Sequence, residues 1–254
     1  MFSARAFVRE STIPEDFDPI FTQQVLVVGG HAVNLWASYY APRGDPELVQ
    51  FAPFISKDGD IFLRDKEIAG AIAATAGWNF RENPEARAPV LGHIYLIRDG
   101  RELTVDVLHT VTGLTGTDLA ATEALVFRDG RTYQLPAPDV MLKAKLANLA
   151  MHNQEERQDA RHVRIMVACC RHFLTDAYAA VVVAKIPERE AVDRFMTTLR
   201  VIRDSRAGEM DRLHTLNLPA AIPAQADLVE LPRLDHLRAF YDHQIQIRGP
   251  GRSL

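Results

Sequence analysis

Val25-Leu26-Val27-Val28-Gly29-Gly30 reads as a strand that ends in a glycine turn and opens a helix, His31 to Tyr40. Further on, Ser56-Lys57-Asp58-Gly59-Asp60-Ile61-Phe62 sets two carboxylates one residue apart on a second expected strand. Alternate strand residues project from the same face, so Asp58 and Asp60 are expected to present their oxygens together to a hard divalent cation. The glycine pair lets the backbone approach a phosphate closely, and the N–H groups at the helix start suit an anion. Phosphate donors beside a magnesium-type site are the equipment of phosphoryl or nucleotidyl transfer.

A third carboxylate, Asp106, falls in the strand-like run Glu102-Leu103-Thr104-Val105-Asp106-Val107-Leu108. The Asp99-Gly100 hairpin signal joins that run to Ile94-Tyr95-Leu96-Ile97. Three acidic residues on neighbouring strands have the oxygens to hold two metal ions. A second hairpin is expected where Ala124-Leu125-Val126-Phe127 and Thr132-Tyr133-Gln134-Leu135 flank Asp129-Gly130, and a helix through Lys66–Ala74. Pro136-Ala137-Pro138 then marks a junction. Beyond it apolar residues recur at three- and four-residue intervals, and Pro187, Pro219, Pro223 and Pro232 punctuate the helices. The expected architecture is α+β, with a mixed-sheet domain over residues 1–135 and a helical domain over 136–254.

Val28-Gly29-Gly30, the pair Asp58 and Asp60, and Asp106 together resemble the nucleotidyltransferase superfamily with the polymerase-beta-type catalytic fold. The chain is similar to its small bacterial branch of minimal nucleotidyltransferases and nucleotidyltransferase-like toxins. In that branch a helix carrying a lysine and another carrying an aspartate follow the catalytic domain. Pro138-Asp139-Val140-Met141-Leu142-Lys143-Ala144-Lys145-Leu146 resembles the first, and Arg157-Gln158-Asp159-Ala160-Arg161-His162 the second. The resemblance covers residues 20–175. It implies that Asp58, Asp60 and Asp106 bind magnesium or manganese and that Gly29, Gly30 and Ser56 hold phosphates of a nucleoside triphosphate. Lys145 and Asp159 would serve the nucleotide, and the acceptor would be a protein, an RNA or a small molecule. A toxin would also have a cognate antitoxin as partner.

Two features depart from the family pattern. An apolar residue normally separates the paired aspartates and packs behind the strand, whereas Gly59 stands here and removes that anchor. The segment between the glycine turn and Asp58 is also longer than usual, with an expected loop at Ala41-Pro42-Arg43-Gly44-Asp45-Pro46. Gly59 is the main support for a rival reading, a catalytically degenerate relative that binds nucleotide, RNA or protein.

Composition agrees with a soluble globular protein: 254 residues, 47% hydrophobic, give enough apolar material for a sizeable core. A net charge of −4 argues against a protein that coats nucleic acid electrostatically and leaves room for a local basic patch. No apolar run is expected to reach the length of a membrane span, and the first residues, with Arg5, Arg9 and Glu10, lack a secretory core. A cytoplasmic location without membrane contact follows as the expectation. The two cysteines, Cys169 and Cys170, are adjacent in an apolar helical stretch, which suits buried reduced thiols.

Lys145 shares a helical face with Met141, Leu142 and Leu149, and Asp159 with Val163, Met166, Cys170 and Leu174. Charges on apolar stripes are costly unless paired or functional, so the two are expected either to pair with each other or to face the nucleotide. Arg157, Arg161 and Arg164 recur at helical spacing as a solvated face partnered by Glu155 and Glu156, or as contacts to phosphates. His31 is placed either to donate to a phosphate or to pack and cap, and His162 to hydrogen-bond Asp159. No histidine spacing makes a zinc site, and no Walker-type phosphate loop is present.

Overall fold

In the computed structural model, which describes residues 12–85, 88–120, 122–155 and 157–245, the first half of the chain builds one mixed sheet and the second half is helical. The strands are β1 (Leu26–Val27), β2 (Gly59–Phe62), β3 (Asn79–Glu82), β4 (Val90–Arg98), β5 (Arg101–Leu108), β6 (Thr122–Val126) and β7 (Thr132–Pro136). Their order across the sheet is β3-β4-β5-β2-β1-β7-β6. Helices α1 (Asp18–Phe21), α2 (Gly29–Tyr40), α3 (Pro46–Val49), α4 (Lys66–Ala76) and α5 (Gly116–Ala120) lie among the strands. After the proline junction come α6 (Pro138–Met151), α7 (Asp159–Val182), α8 (Glu188–Arg203), α9 (Ser205–His214) and α10 (Asp235–Phe240). This is the α+β class expected from the sequence, with its helical C-terminal part.

Local chemistry explains most of the boundaries. The Asp99-Gly100 turn has φ of 52° and 76°, the left-handed pair that lets a two-residue loop match the twist of β4 and β5. Asp65 caps α4 by accepting the Glu67 N–H at 2.7 Å, and Pro138 occupies the first turn of α6 where no donor is needed. Helix α2 begins at Gly29, two residues before the expected His31, because the glycine turn is itself the first turn of the helix.

The inner pairings are parallel for β2 with β5 and β1 with β7, and antiparallel for β1 with β2. Val27, Ile61, Ile94, Val105 and Val107 are buried, and they belong to one continuous core that also takes in α2, α6 and α7. Helix α7 carries Val163, Met166, Cys170 and Leu174 into that core, as its periodicity implies, and both cysteines are free and buried. Burial pushes the Cys169 and Cys170 thiols well above their ordinary range. Contrary to the sequence expectation, α7 is long and apolar enough by length and composition to cross a membrane. More than half of its most apolar window is buried inside the protein, so its hydropathy is that of a core helix.

The long segment after α2 is held rather than loose. Its expected loop contains a short 3₁₀ turn, Ala41–Arg43, followed by α3. Arg43 forms a two-pronged ion pair with Asp176 of α7, both contacts 2.8 Å, while Asp45 accepts from Arg171 at 2.8 Å and from His172 at 2.9 Å. Arg161 donates to the carbonyl of Phe51 and, at 3.1 Å, to that of Pro53. The extra length is therefore docked along α7.

Candidate active site

The glycine turn, the start of β2, Asp106 of β5, the middle of α6 and the start of α7 line a cavity of about 270 Å³. Asp58, Asp60 and Asp106 line its sheet side with Gly30 and Ser56, and Lys145, Arg157 and Asp159 line its helical side. Of the residues that the resemblance assigns to the site, all but Gly29 line this cavity, and Gly29 adjoins the Asp60 carboxylate; His31, Arg161 and Arg164 lie outside it.

Asp60 and Asp106 are register partners across the parallel β2–β5 pair, so their side chains leave the same face one strand apart. Asp58 is not on the strand as expected: β2 begins at Gly59, and Asp58 belongs to the bend before it. Asp58 still raises the proton affinity of Asp60 from the cavity wall. Burial, then the neighbouring Asp106 charge, pushes the Asp60 carboxyl up to about 7, against the opposing pull of Lys145 and with a further push from Asp58. The Gly30 N–H donates to Asp60 and partly offsets this.

The two glycines are required by space. Gly29 has φ of 68°, and a Cβ there would fall inside the Asp60 carboxylate. A Cβ on Gly30 would land on Ser56 Oγ and lie 3.4 Å from His162 Cε1. Gly29→Ala is therefore expected to cost at least about 1–2 kcal/mol from the left-handed backbone alone and to displace Asp60 as well. Thermal melts with a parallel magnesium-nucleotide titration check this, and a variant indistinguishable from wild type in both would remove the close-approach role.

Gly59 does not leave a hole behind the strand. A Cβ built on it would meet Val105 Cγ2 at 3.0 Å and the Phe21 ring at 3.1 Å. The packing anchor missing from the strand is supplied by α1, whose Phe21 is fully buried.

On the helical side Asp159 accepts from Arg157 Nε at 2.6 Å and stands 3.6 Å from Lys145 Nζ. Lys145 also feels Asp60, so it sits between the two carboxylates; burial outweighs both and lowers its proton affinity. Lys145 thus neighbours Asp159, as the pairing option has it, and also lines the cavity. Arg157 and Arg164 of the arginine row are exposed, as the solvated-face reading has it, and Arg161 is half-buried. Arg157 pairs with Asp159, Arg161 binds the carbonyls before Ser56, and Arg164 donates to the His214 carbonyl at 2.7 Å. Glu156 lies outside the described residues.

The histidines are redistributed. His31 is fully buried in the core against Phe17 and Phe21, shares a hydrogen bond of 3.0 Å with Thr12 Oγ1, and is pushed down to about 3 by burial. Packing, not phosphate contact, is its role here. His162 makes no hydrogen bond to Asp159; neither ring nitrogen has a partner among the described residues. His93 is the residue that sequence reasoning missed: its Nδ1 lies 2.7 Å from Asp106 Oδ1. The Asp99-Gly100 hairpin held the signal, because pairing Arg98 with Arg101 and counting outward sets His93 opposite Asp106.

Comparison of the chain with protein-family models gives no match, and comparison with curated proteins gives none either.

Proposed function

We propose that the protein is a magnesium-dependent nucleotidyltransferase, carrying a nucleoside monophosphate from a nucleoside triphosphate to a hydroxyl acceptor. The observation that carries this reading is the buried Asp60 carboxyl, held beside Asp106 and Asp58 at the N-terminus of α2 and facing the Lys145–Asp159–Arg157 cluster. Oxygen donors crowded into mutual repulsion fit a hard divalent cation. Among the described residues no three His, Cys, Asp or Glu side chains stand together as a group that could hold a metal ion by themselves. Magnesium suits such a site, since it is commonly held by one or two carboxylates with water and substrate phosphates completing its octahedron.

Asp58, Asp60 and Asp106 would hold magnesium or manganese, which neutralises charge on the triphosphate and acts as a Lewis acid. The Gly30 turn and Ser56 grip the phosphates at the start of α2, and Lys145 and Arg157 face them from the helical side. In the transfer, the acceptor oxygen bonds to the α-phosphorus while the bond from that phosphorus to the bridging oxygen breaks, and pyrophosphate leaves with the electron pair. Asp106 takes the acceptor's proton, and His93 fixes the direction in which its carboxylate points.

Calorimetric titration with a non-hydrolysable nucleoside triphosphate tests the site. Binding should require magnesium or manganese and disappear in Asp58→Ala and Asp60→Ala; metal-dependent binding that persists in both folded variants sinks the assignment. Chemistry is tested separately with Asp106→Asn, which should keep affinity while losing transfer of label from α-labelled triphosphates, because its contribution arises in the transition state. Assays would offer the protein itself, total RNA and a cell extract as acceptor sources.

A further inference from the structure

We propose that His162 is a phosphate-contacting residue of this site, the hydrogen-bond donor that meets the triphosphate from the α7 side. The inference rests on the proposed nucleotidyltransferase reading and adds to it a contact for a group with no hydrogen-bond partner among the described residues. His162 is 6% exposed and lines the cavity, yet neither Nδ1 nor Nε2 is hydrogen-bonded among the described residues. A buried imidazole without a partner is costly, and native proteins rarely keep one without a reason.

Its position names the ligand chemistry. His162 lines the cavity together with Ser56 and Gly30, at the N-terminus of the twelve-residue helix α2, where backbone N–H groups favour an anion. An anion in this cavity faces the helix start, Ser56 and His162 together. Histidine χ2 wells are broad, so a turn of the ring brings a nitrogen towards the cavity without moving the helix. Burial, together with the Lys145 and Arg161 charges, holds His162 neutral. A neutral imidazole keeps one N–H to give, and adds no positive charge beside Lys145. His31 also has a ring nitrogen, Nδ1, without a partner among the described residues, but it packs against Phe17 and Phe21 and does not line the cavity.

The test measures magnesium-dependent binding of inorganic tripolyphosphate and of a non-hydrolysable nucleoside triphosphate to wild type, His162→Ala and His162→Gln. Wild type should bind both. His162→Ala should lose about tenfold to a hundredfold in affinity for both ligands, the scale of one hydrogen bond to a charged group. His162→Gln, which keeps a side-chain N–H, should recover part of it. On the wild-type protein, long-range proton–nitrogen spectra of labelled histidine should show one ring-nitrogen pair moving when magnesium tripolyphosphate is added, the pair missing in His162→Gln. Unchanged affinity in a folded His162→Ala, or a loss confined to the nucleotide, overturns the phosphate contact while leaving the transferase reading standing. An unmoved His162 signal at saturation does the same. If wild type binds neither ligand with magnesium, the transferase reading fails and this inference falls with it.

Discussion

Asp60→Asn is expected to make the protein more stable while abolishing magnesium-dependent nucleotide binding. The folded protein holds the Asp60 proton up to about 7, against an ordinary value of 3.8. The folded-state value is raised, so the stability it contributes is fully present below the unfolded value and is lost as pH rises through about 7. A shift of this size corresponds to about 4 kcal/mol across that window. Asparagine carries no such penalty and still presents a side-chain amide to its neighbours. Denaturant unfolding without divalent cations should place the variant above wild type by about 2–4 kcal/mol at pH 8, with a much smaller gap at pH 4. Saturating magnesium should narrow the gap at pH 8, because the cation replaces the proton as the neutralising charge. Parallel pH profiles for the two proteins would show that Asp60 is not the strained group.

The helical side of the site predicts an asymmetry between two ion-pair partners. Asp159 has two cations, Arg157 at 2.6 Å and Lys145 at 3.6 Å, whereas Lys145 has Asp159 and the weaker influence of Asp60. Asp159→Leu leaves a fully enclosed ammonium without its nearest counter-charge, and the expected cost is about 3–5 kcal/mol. Lys145→Met leaves Asp159 still bound to Arg157, so that variant should fold with a much smaller loss, yet bind magnesium nucleotide poorly. Combining the two should recover most of the stability lost in Asp159→Leu and none of the binding. Melts of the three variants decide it. Equal destabilisation by the two single changes would mean that Arg157 does not hold Asp159 as the geometry implies.

What was legible in the sequence was what short-range pattern encodes. Val25–Gly30 announces a strand, a turn and a helix within six residues, and Asp99-Gly100 announces a hairpin. The carboxylates and Lys145 could be gathered into one site because each lies near the end or on a face of a recognisable element. Contacts between remote segments were not legible. Nothing local indicates that Phe21 fills the space over Gly59, or that Arg161 reaches carbonyls more than a hundred residues earlier. The parallel pairing of β2 with β5 likewise joins segments separated by two other strands in the chain. The expectation that no apolar run reaches the length of a membrane span failed at α7, since a helix covered on most sides by its own protein carries the composition of one covered by lipid. His93 lay between these cases: its partner could be counted from the hairpin once the turn length was known.

That turn length makes part of the site sensitive to insertions and deletions far from any of its residues. Strand β5 is clasped on its other side by β2, so Asp106 keeps its station opposite Asp60 whatever happens to the hairpin tip. One residue gained or lost at Asp99-Gly100 would instead be taken up by β4, sliding His93 out of line with Asp106 and presenting the opposite face of the strand. Strand β3, paired only to β4, would travel with it. A reading-frame-preserving change of a single codon at the tip would thus silence the Asp106–His93 contact while every residue of the site remained in the sequence.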